Sequence, residues 1–191
     1  MNGNGLSLLA EKLANLATEA SFKFWQDEEF RKIVDFKNLS QTEQDRIFNE
    51  LEVTALGLSA LWAEHYPILI KFQQETADAF IKIMKDLGIE EEFLDTWKLL
   101  IKLRFKEYKK DYKILLKESH RWEEIKNEDE FRPIWGRVET LTLNCVQHIR
   151  RGKLEKEDLL IHYLKKWIMV LETAISPEVK KILATTPLGN C

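Results

Sequence analysis

The chain has 191 residues, of which 45% are hydrophobic and 32% charged, with a net charge of -3 at pH 7; this balance supports a folded core and excludes a disordered polyelectrolyte. Two cysteines, Cys145 and Cys191, are too few for a disulfide framework and read as free thiols of a cytoplasmic protein. Uncharged stretches such as residues 53–63 fall well short of the roughly 18 apolar residues of a membrane span, and residues 1–13 lack the basic start of a secretory leader.

Between residues 6 and 186 the glycines Gly57, Gly88, Gly136 and Gly152 and the prolines Pro67, Pro133 and Pro177 cut an otherwise helical pattern into helix-length pieces, which predicts an all-α protein. Leu9, Leu13, Leu16 and Ala20 recur at helical spacing and predict a first helix over about 7–24. Phe30, Ile33 and Val34 continue it or form a short second helix after Asp27. Ser40-Gln41-Thr42-Glu43 reads as a capping box, with serine and glutamate each satisfying a backbone donor of the other. It opens a helix with Ile47, Leu51, Ala55, Leu58 and Trp62 on one face and Gly57 at a close helix crossing. Pro67 ends or kinks that helix, and Phe72, Thr76, Phe80 and Met84 carry the next one to a left-handed cap at Gly88.

Leu94, Trp97, Ile101, Phe105, Tyr108, Tyr112, Leu115, Ser119 and Trp122 then step by threes and fours, predicting one long helix over about 90–125, roughly 54 Å in length. Pro133 starts the following helix, which carries Val138, Leu141, Cys145 and Ile149 to Arg150, Arg151 and Gly152, the two arginines facing its negative end. Leu160, Leu164, Trp167 and Leu171 define a further helix, and Ser176-Pro177 starts a short last one. The fold expected is a single-domain antiparallel bundle of six to eight helices around a long central helix, with residues 1–6 and 185–191 as flexible ends.

Bundles that hold two metals use Glu-x-x-His to project both ligands from one face, and none of the four histidines has a glutamate three residues before it. Phosphate-cradling glycine loops and serine-hydrolase elbows are also absent from the sequence. Cys145 and His148 are one turn apart with Asn144 beside them, half of a zinc site or a buried thiol next to a hydrogen-bonded imidazole. Apolar neighbours Leu141 and Ile149 favour burial of the thiol. His65, at a helix end where the dipole favours a cation, reads as a capping residue. Six tryptophans on apolar stripes fill a core or line a pocket for an apolar ligand.

The feature outside the core is a ridge of lysines. Lys98, Lys102, Lys106, Lys109, Lys110, Lys113 and Lys117 project within about 120° of arc on the long helix, in a segment of net charge +6. Leu99, Leu103 and Ile114 share a second arc beside it, and a long helix with an apolar strip calls for cover by a second copy or by the N-terminal helix. The positives are nearly all lysine, no aromatic shares their arc, and the rest of the chain is acidic, so nucleic acid is the less favoured partner. The preferred reading is a non-catalytic interaction or regulatory module without a cofactor, acting on a protein partner or as a homodimer. The alternatives are a bundle that binds a small apolar ligand or metal, and a nucleic-acid binder using residues 98–117.

Overall fold

The structure, a computed structural model, describes residues 3–119, 131–153 and 157–185. Its seven α-helices are α1 (Gly3–Gln26), α2 (Glu28–Ile33), α3 (Gln41–His65), α4 (Ile70–Asp86), α5 (Glu91–Ser119), α6 (Phe131–Ile149) and α7 (Leu159–Thr185), with 3-10 turns at Phe36–Asn38 and Pro67–Leu69 and no strand among the described residues. The protein is an all-α helical bundle.

Local chemistry sets most of the boundaries. Asp27 separates α1 from α2, its carboxylate accepting from the Phe30 amide at 2.8 Å. Ser40 caps α3 by accepting from the Glu43 amide at 3.3 Å. The Glu43 carboxylate, which the capping-box reading turned back toward Ser40, engages Arg46 and Arg151 instead. Gly88 has φ +85°, and the amides of Gly88 and Ile89 bond the carbonyls of Lys85 and Met84 in the left-handed helix cap the sequence predicts.

Three expectations are corrected. The C-terminus of α6 is closed by Arg46, whose guanidinium donates to the carbonyls of His148 at 2.7 Å and Ile149 at 3.1 Å. Arg150 and Arg151 turn away to Asp158 and Glu43. The predicted eighth helix is the last part of α7, because Pro177 lies inside it. A proline there leaves only the Thr173 carbonyl without its helical donor, and Thr173 is exposed to water. The buried stripe of α1 is Leu6, Leu9, Ala10, Leu13, Ala14 and Ala17, one position around from the predicted one, with Leu16 and Ala20 at its margin. The alanines keep this stripe narrow, and α1 packs most extensively on α4.

As predicted, α5 is the longest described helix, and Leu94, Trp97, Ile101, Phe105, Tyr108, Tyr112 and Ser119 of its seam are buried, with Leu115 half-buried; the expected continuation over 120–125 lies outside the described residues. The helix enclosed on all sides is α3, buried without interruption from residue 50 to 63 and packed against α1, α4, α5 and α6. Gly57 sits at its crossing with α5 and α6, where a Cβ would come within 2.8 Å of the Tyr108 ring and 2.7 Å of Leu141. The approach that requires glycine is by side chains rather than by another backbone. A second apolar cluster of Phe30, Phe36, Ile47, Cys145, Val146 and Leu160 joins α2, α3, α6 and α7. Among the described residues no helix is long and apolar enough to cross a membrane.

Candidate functional site

Cys145, His148 and Asn144 occupy a polar seam between α3, α5 and α6, each with a different partner. Cys145 is fully buried, and burial pushes its thiol up to about 12 against the opposing hydrogen bond with Thr54. His148, farther out on α6, bonds the Glu107 carboxylate at 2.9 Å. Asn144 donates to Asp111 at 3.1 Å and to the Thr140 carbonyl at 3.0 Å. Between them Arg104 grips Glu50 through two bonds of 2.9 and 2.6 Å and reaches Glu107 at 3.4 Å. The Tyr108 hydroxyl meets Thr54 at 3.3 Å, and burial raises its pKa well above the tyrosine range.

The Arg104 guanidinium pairs with Glu50 and Glu107, and no group of three His, Cys, Asp or Glu among the described residues is placed to hold a metal ion. The arrangement clamps α5 between α3 and α6. A thiol so placed reacts only when the fold opens. In a Cys191→Ser background, Cys145 is expected to be labelled by a thiol reagent at the rate of global unfolding. Rapid stoichiometric labelling of the native protein would show that the seam is open. Cys191 itself lies outside the described residues.

The tryptophans have separate packing partners. Trp62 is buried against α7, Trp97 meets Phe80 edge-on at 5.1 Å, Trp25 meets Phe36 at 5.5 Å, and Trp167 stacks on Phe24 at 4.8 Å. Trp135 is half-buried on α6, and Trp122 lies outside the described residues. His65, read from sequence as a cap at a helix end that favours a cation, shares a hydrogen bond with the Tyr112 hydroxyl at 3.3 Å, and burial together with the positive Arg137 holds its pKa below the usual range. It is the neutral imidazole that the site favours.

Sequence periodicity missed two buried polar groups. Glu172 on α7 takes two bonds from Arg137, at 3.2 and 2.6 Å, and one from the Trp62 indole at 3.1 Å, while the guanidinium lies 3.8 Å from the Trp62 ring centre. Both charged residues are 1% exposed. Glu52 is fully buried with neither carboxylate oxygen hydrogen-bonded, and burial raises its pKa from 4.5 to about 8. A signal was present in the chain. Glu50 and Glu52 are about 200° apart on one helix, so they cannot share a solvent face.

The lysine ridge divides. Lys98 pairs with Asp95 at 2.8 Å, with Glu91 at 4.0 Å, and Lys113 pairs with Glu64 at 2.8 Å. Among the described residues Lys102, Lys106, Lys110 and Lys117 are exposed and have no carboxylate partner. The acidic cluster at 123–130, expected to meet the ridge, lies outside the described residues.

On one flank of this ridge α4 and α5 enclose an open groove of about 620 Å³. Ala77 and Ile81 of α4 and Ile101 and Phe105 of α5 form its apolar floor. Lys98, Lys102, Lys106 and Lys109 line the α5 edge, against Gln73, Gln74 and Asp78 on the α4 edge. Burial holds the half-buried Lys109 ammonium below the usual lysine range. On the other flank Leu99, Leu103 and Ile114 are 57%, 53% and 53% exposed. No protein-family model, curated protein or solved structure matches the chain.

Proposed function

We propose that this protein is a non-catalytic interaction module whose working surface is the solvent face of α5 and whose partner is an acidic polypeptide. The observation that carries this reading is the charge of Lys102, Lys106, Lys110 and Lys117, which no carboxylate among the described residues pairs, in a molecule whose net charge is -3. Positive charge concentrated on one face of an acidic protein steers an acidic partner to that face and repels the rest of the molecule's likeness. A reducing, cytoplasmic setting goes with the reading, since Cys145 then remains the buried thiol that the seam accommodates.

Poly-L-glutamate tests it. Titration calorimetry at low salt is expected to show binding that weakens steeply with added salt and is lost in Lys102→Glu/Lys106→Glu/Lys110→Glu. An absence of binding, or binding indifferent to the triple variant, would overturn the reading, as would tighter binding of duplex DNA through the same lysines at physiological salt.

The exposed strip of Leu99, Leu103 and Ile114 favours a second reading, in which the partner is another copy. An antiparallel two-fold pairing of α5 would bring the acidic residues 91–95 of each copy toward the basic far end of the other. Sedimentation equilibrium separates the two. A species of 22.6 kDa at tens of micromolar removes the dimer, whereas a dimer that dissociates in Leu99→Glu/Leu103→Glu establishes it.

A further inference from the structure

We infer that the α4/α5 groove is a docking site for an acidic amphipathic helix of the partner, an inference that rests on the interaction role proposed above and adds the form of the ligand. Three features of the groove select that form. Its edges are electrostatically unequal: Lys102, Lys106 and Lys109 on α5 face a single carboxylate, Asp78, on α4, while Lys98 at the end of the edge is paired with Asp95 and Glu91 of its own helix. The occupant therefore carries negative charge along the side that meets α5 and need carry none on the other.

These three lysines are spaced four and three residues apart, so successive ammonium groups lie one helical turn from each other over about 10 Å. Carboxylates at the same one-turn spacing occur on one flank of a facing helix, whereas a ligand with a single acid group would use one lysine and leave the others unanswered. The groove is also concave and apolar beneath, with Ala77 and Ile81 only half-buried between the two helices. A third helix lying along two packed ones fills such a furrow with its apolar face, at the usual interaxial distance of about 8–10 Å. A flat anionic bilayer would meet the rims and leave the floor uncovered, and a duplex would set charged phosphates against that floor.

Two labelled 18-residue peptides of identical composition test the inference by fluorescence anisotropy. In one, leucines share a face and glutamates lie on its flank; in the other the same residues are shuffled so that no apolar face forms. The full-length protein is expected to bind the first at least tenfold more tightly than the second. Ala77→Trp, which fills the floor, should remove that advantage while leaving poly-L-glutamate binding unchanged. If circular dichroism shows that Ala77→Trp does not fold, Ala77→Gln, which sets a neutral polar group in the apolar floor, makes the same comparison. Lys102→Glu/Lys106→Glu should weaken both peptides at least tenfold.

Equal affinity for the two peptides, or an advantage that survives the blocked floor, would overturn the helical docking site and leave the acidic-partner reading standing. Loss of poly-L-glutamate binding itself would remove both. Preference for phosphatidylserine vesicles or duplex DNA over the amphipathic peptide would replace the helix with that surface.

Discussion

Raising the pH from 4.5 to 8 is expected to lower the contribution of Glu52 to stability continuously, by a total on the order of 4–5 kcal/mol at about 1.4 kcal/mol per pH unit. Glu52 is fully buried on α3 with no hydrogen-bond partner for either oxygen, and burial raises its pKa from 4.5 to about 8 in the folded protein. Below pH 4.5 the group is protonated in both states and contributes no difference. Between 4.5 and 8 the unfolded chain releases a proton that the folded chain keeps, so stability falls as pH rises. Above 8 both states are ionised and the loss levels off. His65 acts in the opposite direction, because its lowered pKa makes the folded state release its proton first. Comparison with Glu52→Gln isolates the glutamate. Urea titrations at pH 5.5, 7 and 8.5 should show the difference in stability between variant and wild type shifting toward the variant as pH rises; a difference independent of pH would mean that Glu52 is solvated.

Arg137→Met is expected to cost about 3–5 kcal/mol, since it leaves Glu172 buried and charged without its partner. The loss arises from the orphaned carboxylate more than from the pair itself. The double variant Arg137→Met/Glu172→Leu should therefore regain most of the stability, and a thermodynamic cycle measured by urea unfolding reads the recovery. A single variant within about 1 kcal/mol of wild type would show that water reaches the pair, and a double variant no better than the single would assign the cost to packing against Trp62.

Much of this protein was determined by the sequence alone, because helix boundaries and helix faces depend on residues within a turn or two of each other. Ser40, Pro67 and Gly88 act through their own backbone or the next few amides. The seam of α5 and the arc of its lysines follow from a repeat of 3.6 residues. Cys145 was legible as buried for the same reason, since Leu141 and Ile149 lie one turn to either side.

The tertiary structure decided everything that depends on which faces meet. Glu50 and Glu52 lie on opposite sides of α3, and only when α1, α4, α5 and α6 close around the helix does Glu52 become a carboxyl without water. Pro177 reads locally as a helix start, yet α7 runs through it because packing of Ile175 and Val179 on the core outweighs one missing hydrogen bond at an exposed carbonyl. Arg137 and Glu172 are 35 residues apart, and Arg46 and the α6 carbonyls about 100, so no local pattern couples them. The groove is of the same kind: its lysines were visible on α5, but its floor exists only because α4 lies beside α5 with Ala77 and Ile81 turned toward the gap. Periodicity specifies what a helix presents, and burial against a distant segment determines what that face becomes.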